Sequence, residues 1–137
     1  MKKIFLLSTM IGLSLTGFSQ LFSENFDSYA VGSYLAPQSL TWSTWSGTEG
    51  NAEDATINNM QSSSPSNSIY FASTAANGGP QDVVLKFGQL YNSGIFTLQK
   101  KLYVNTGKKG YYNIQGALTI GNLWALNVNL ASGNLTI

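Results

Sequence analysis

The chain has 137 residues, seven basic side chains (all of them lysine) against six carboxylates, and no histidine, cysteine or arginine. Lacking His and Cys, it can build neither a zinc site nor thiol chemistry, and no disulfide can staple it. Lacking arginine forks and a basic stripe, it is not expected to bind nucleic acid; with only 9 % charged residues, its polar surface falls to Asn, Ser, Thr, Gln and Gly.

In chain order the first feature is a leader. Lys2 and Lys3 precede an apolar run from Ile4 to Leu15, and Gly17-Phe18-Ser19 is a small-x-small cleavage triplet. That pattern predicts a secretory signal peptide over residues 1–19. The run is too short for a bilayer, which needs roughly 20 apolar residues, so no span is expected after cleavage. The expected location is secreted or at the cell surface. Lys2 and Lys3 depart with the leader, which leaves the acids one ahead of the lysines. Residues 20–137 suffice for one domain.

Beyond Gln20 no helical period appears. Gly, Asn and Ser punctuate short runs rich in Val, Ile, Tyr, Phe, Trp and Thr, which predicts an all-β fold. Strands are expected near Leu21–Ser23, Leu40–Ser46, Ala55–Asn58, Ser68–Ala72, Asp82–Phe87, Gly94–Val104, Tyr111–Ile120, Leu123–Leu130 and Leu135–Ile137. The best-defined hairpin is Phe96–Ile114. Phe96, Leu98, Leu102 and Val104 share a face interrupted by Lys100, and Asn105–Gly110 offers two glycines for the turn. Further turns are expected at Gly121-Asn122 and Ser132-Gly133. Leu126, Val128 and Leu130 alternate with Asn127 and Asn129, as a half-buried strand requires. The apolar Leu135-Thr136-Ile137 follows directly on a turn and reads as a strand begun but not finished, so the domain is expected to be incomplete at its C-terminus.

The segment Phe22-Ser-Glu24-Asn-Phe26-Asp27-Ser-Tyr29-Ala-Val-Gly32 resembles the E-x-F-[DE]-x-Y-x-x-G opening of secreted Bacteroidetes-type proteins. Trp42-Ser-Thr-Trp45-Ser-Gly47, Glu53-Asp54-Ala55, Asn67-Ser68-Ile69-Tyr70, Asp82–Leu85 and the run from Ser93 to Ile114 are also similar to those proteins. The resemblance covers most of residues 21–130. It implies an antiparallel jelly-roll β-sandwich of the concanavalin A-like lectin/glucanase class. Relatives of this kind often end in a type IX secretion sorting domain, for which the present sequence has no counterpart.

Lectin-like glucanases carry their carboxylates on one strand at alternating positions, so that both reach one cleft. Here Glu24, Asp27, Glu49, Glu53, Asp54 and Asp82 include no such pair on a strand, and Glu53 and Asp54 are adjacent. Enzyme is therefore the poorer reading, and no catalytic residue is assigned. A recognition module that binds carbohydrate is the better one, because sugar rings stack on exposed aromatics while neighbouring amides bond their hydroxyls. Of Trp42, Trp45, Tyr91, Tyr103, Tyr111 and Trp124, the expected ligand-binding set is Trp45, Tyr103 and Tyr111. The alternatives are a structural or accessory domain of a larger exported surface protein, or a fragment of a glycoside-hydrolase-like enzyme. Calcium is a weaker expectation, with Asp54 and Asp82 as the residues to hold it; both equally suit turn capping.

Overall fold

The computed structural model describes residues 20–72, 74–75, 78–131 and 134–136. The expected leader, residues 1–19, lies outside them, as does Ile137. The described residues are mostly β and contain no α-helix, in agreement with the all-β expectation. No helix among them is long and apolar enough to cross a membrane.

The strands form three antiparallel sheets. β1 (Trp42–Thr44) pairs with β4 (Val83–Leu85), and β2 (Thr56–Asn58) with β3 (Ser68–Tyr70). The third sheet has the order β5 (Lys109–Gln115), β6 (Trp124–Ala131), β7 (Asn134–Thr136). β6 and β7 meet at Ala131 opposite Asn134, so the turn expected at Ser132-Gly133 falls between them, on residues outside those described. The expected runs at Leu21–Ser23 and Gly94–Val104 form no strand.

Around β2 the chain zips up on both sides. Gly32 donates to the Ile57 carbonyl at 2.8 Å, Ile57 to Ser33 at 2.9 Å and Leu35 to Ala55 at 2.9 Å. This ladder carries Leu35, Ala36, Ala55 and Ile57 into a small core closed by the buried Ser43 and Thr44 of β1. Burial of a Leu or Ile side chain contributes about 1.5–3 kcal/mol, so these few residues hold much of the lobe together. Trp42 packs on Phe26 with centroids 5.9 Å apart, while its buried indole Nε1 has no hydrogen-bond partner.

The segment from Glu24 to Gly32 is a self-bonded loop that closes this lobe. Phe26 sits at φ 64°, where a side chain costs roughly 1–2 kcal/mol relative to the right-handed region. The Glu24 carboxylate offsets that cost by accepting from the Phe26 N–H at 2.8 Å, the Asn25 N–H at 3.0 Å and the Tyr29 hydroxyl at 2.8 Å. Asp27 reaches across to the β3 side, where Oδ1 accepts from the Asn67 N–H at 2.8 Å and the Ser64 hydroxyl at 3.1 Å. Asn67, itself buried, returns the contact by donating to the Phe26 and Tyr29 carbonyls. Gly32, the last residue of the pattern, takes φ 86°. The spacing of Glu24, Phe26, Asp27, Tyr29 and Gly32 is the geometry of a clamp.

The expected hairpin Phe96–Ile114 does not form, and the turn explains why. Lys108 donates to the Asn105 carbonyl at 2.9 Å, and Gly107 has φ 74° while Thr106 does not share its positive φ. Positive φ at the third turn position alone is the mark of a type II turn, whose twist splays flanking strands. β5 pairs with β6, and residues 87–104 run as an irregular strap. Two contacts tie the strap to β5: Val104 lies against Gly110, and Lys100 Nζ sits 2.7 Å from the centre of the Tyr112 ring. Burial there lowers the Lys100 ammonium to about 8.

Candidate functional site

The site is built on the β5–β6 ladder. Tyr111 lies opposite Asn129 and Asn113 opposite Asn127, while Tyr112 faces Val128 and Ile114 faces Leu126. Directly opposed residues share a side of the sheet. One side is consequently apolar, with Val128 buried, and the other carries Tyr111, Asn113, Asn127 and Asn129. Between Ile114 and Gln115 the register slips by one residue, so Trp124 rather than Ala125 stands opposite Gln115. Such a bulge re-aims one side chain. Here it brings Trp124 to the amide side of the sheet.

The side chains on this face brace one another. The Tyr111 hydroxyl donates to Asn127 Oδ1 at 2.7 Å, Gln115 Nε2 to Asn113 Oδ1 at 3.3 Å, and the Gly121 N–H to Gln115 Oε1 at 2.6 Å. Trp124 stacks on Trp45, with centroids 5.8 Å apart and planes 10° from parallel. Trp45 is wedged from its edge by Gly121: a Cβ on that glycine, which has φ 80°, would come within 3.0 Å of the indole. The turn expected at Gly121-Asn122 thus serves as a seat for Trp45. It belongs to a longer connection, closed where Gly116 donates to the Leu123 carbonyl at 2.8 Å.

The three aromatics expected from the sequence fall in different places. Tyr111 is on the amide face, 57 % exposed, with Tyr112 half-buried on the opposite side. Trp45 is half-buried and backs Trp124, which is 45 % exposed and presents the outer ring. Tyr103 is exposed on the strap, and no ring contact among the described residues joins it to Tyr111 or Trp45. The sequence pattern assigns no role to Asn113 and Gln115, and marks Asn127 and Asn129 only as the outward residues of a half-buried strand. Their signal was present in the alternation of amides with Leu126, Val128 and Leu130, but β5 as the partner strand was not legible.

The two expected calcium residues sit in the other lobe. Asp54 is fully buried, and its carboxylate accepts from the Ala36 N–H at 3.2 Å and the Gly50 N–H at 3.1 Å. Its carbonyl accepts from Gln81 Nε2 at 3.0 Å. That is a loop-locking role. Asp82 lies beside Glu53, whose carboxylate accepts from the Ser46 N–H at 2.9 Å and from the Ser46 hydroxyl. Among the described residues no group of three or more acidic, His or Cys side chains is placed to hold a metal ion.

Burial, and secondarily the charge of Glu53, raises the Asp82 carboxyl above its ordinary range. A raised acid binds its proton more readily in the folded than in the unfolded state. Ionising Asp82 therefore lowers stability as pH rises from the ordinary aspartate range through the raised value. Asp82→Asn is expected to remove that decline, read as a flatter plot of melting temperature against pH in the weakly acidic range. An unchanged plot would mean that the fold does not raise the Asp82 carboxyl.

No family model, curated protein or solved structure matches this chain.

Proposed function

We propose that this is an exported, non-catalytic recognition module that binds carbohydrate on the amide side of the β5–β6 sheet. The observation that carries the reading is the juxtaposition of Tyr111 and the Trp45–Trp124 pair with Asn113, Gln115, Asn127 and Asn129 on one side of the sheet, where Lys109 at the end of β5 is the one charge among the ladder residues. Sugar C–H groups pack on aromatic faces, and amides supply both donors and acceptors for hydroxyls. From Tyr111 to Gln115 the strand spans about 13 Å at roughly 3.3 Å per residue, room for a short oligosaccharide. The jelly-roll sandwich of the concanavalin A-like class is part of the same proposal. The sequence motifs and the antiparallel pairing of all three sheets support it.

A glycan array followed by affinity electrophoresis, with protein purified after export, tests the reading. Trp124→Ala and Tyr111→Ala are each expected to weaken binding by about tenfold or more, as central aromatic contacts do. Tyr103→Ala, on the strap, is expected to leave it within about twofold. Binding unaltered in the Tyr111/Trp124 double variant would remove the site.

A further inference from the structure

The two ends of the aromatic and amide surface differ in charge, and that difference bears on which sugars it takes. Trp45 follows directly on β1, and its N–H donates to the Asp82 carbonyl at 3.0 Å, which extends the β1–β4 register by one pair beyond Thr44 and Val83. Directly opposed residues share a side of a sheet, so the Asp82 carboxylate stands on the side from which Trp45 reaches Trp124. The Asp82 N–H donates to the Glu53 carbonyl at 2.8 Å, and the Glu53 carboxylate is held at Ser46, the residue after Trp45. Trp45, Glu53, Asp82 and Gln115 line one cavity.

Most acids of this lobe are occupied by the fold. Glu24 and Asp27 hold the clamp, Asp54 holds the loop at Ala36, and Glu53 holds Ser46. The solvent-accessible Asp82 side chain differs: among the described residues the charge that bears on it is Glu53, of the same sign. Like charges set side by side disfavour ionisation, and a bound cation relieves them. Calcium asks for six to eight oxygens, and no group of three acids among the described residues converges to supply them. An ammonium needs only one or two acceptors and also packs on an aromatic face. A ligand that lays a ring on Trp124 and brings an ammonium to Asp82 is an amino sugar. Lys109, on the same side of β5 as Tyr111, lies about 20 Å from Gln115 at roughly 3.3 Å per residue, and its charge turns the cationic group toward the tryptophans.

We infer that Asp82 is the specificity-determining residue of the carbohydrate site, accepting a hydrogen bond from the ammonium of an amino sugar whose ring packs on Trp124. The inference rests on the carbohydrate reading above and narrows it to glycans that carry free amino groups.

The test is calorimetric titration of the exported protein with a glucosamine oligosaccharide and with its N-acetylated counterpart of equal length and linkage. The parent is expected to bind the free amine about tenfold more tightly, the size of one charge-assisted hydrogen bond. That advantage should shrink as salt approaches about 1 M. Asp82→Asn should bring the two affinities to within about twofold of each other by weakening the amine alone. Asp82→Glu, which keeps the charge, should retain most of the preference. Asp82 is held through its backbone, so circular dichroism of both variants should stay as in the parent. Equal affinity for the two oligosaccharides in the parent, or a preference that survives Asp82→Asn, would overturn the inference and leave the carbohydrate reading standing. A glucosamine oligosaccharide held as tightly by the Tyr111/Trp124 double variant, or a lysine oligomer held as tightly as the sugar, would overturn it too, since charge alone would then account for the attraction. A protein that captures neutral glycans on the array but neither oligosaccharide would sink this inference only; one that captures no glycan would remove both.

Discussion

Asp54→Ala is expected to be among the most destabilising single substitutions in the N-terminal lobe, by about 1–3 kcal/mol. The alanine leaves the buried Ala36 N–H without its carboxylate acceptor, and the Gly50 N–H, on an exposed residue, turns to water instead. Each buried donor stranded in this way costs about 1–3 kcal/mol. Against a total of about 5–15 kcal/mol for a domain, that is a large fraction. Asp54→Asn should fall between the two, because its amide keeps one acceptor oxygen but turns an NH2 toward backbone donors. Urea denaturation with fixed slope is the measurement. A loss under about 1 kcal/mol for the alanine would mean that solvent reaches the Ala36 N–H and that Asp54 does not lock the loop.

Trp45→Ala is expected to act on stability and on recognition together. Complete removal of a core Trp costs about 3–5 kcal/mol, and Trp45 is half-buried, so about 2–3 kcal/mol is the expected loss. The indole is also what Trp124 leans on. Without it the outer ring loses its fixed orientation, and glycan affinity should fall by about tenfold under conditions where the variant remains folded. Trp45→Phe keeps an aromatic backing and should recover most of both losses. If binding were unaffected while stability fell, Trp124 would not depend on its partner, and the site would reduce to Tyr111 and the amides.

Much of the architecture was legible because period-two patterning is a local property. β1, β2, β3 and β4 fall inside runs expected as strands from their β-branched and aromatic residues, and β6, where Leu126, Val128 and Leu130 alternate with asparagines, matches its run to within one residue at each end. The outward ring of Tyr111 and the inward ring of Tyr112 follow from adjacency on one strand. The strap shows the limit. Phe96, Leu98, Leu102 and Val104 alternate as a strand should, but a ladder also needs a turn of the right twist, and the left-handed glycine at Gly107 follows Thr106 rather than joining a second left-handed residue. Leu21–Ser23 likewise has strand composition without a partner edge. The clamp motif behaved in the opposite way: Glu24, Asp27, Tyr29 and Gly32 were recognisable as a pattern, while the reason for their spacing appeared only once Phe26 was seen at positive φ with Asn67 beneath it.

The sequence by itself determined the chemistry that is possible here: an uncharged polar surface, a β-forming repeat of short apolar segments, and lysines gathered behind the acids. Only the tertiary structure decided which side chains act together. Pairing across β5 and β6, and the one-residue slip that turns Trp124 toward Gln115, are set by contacts between residues far apart in the chain. Local alternation says which way a side chain points relative to its neighbours; it holds no information about the strand on the other side of the ladder.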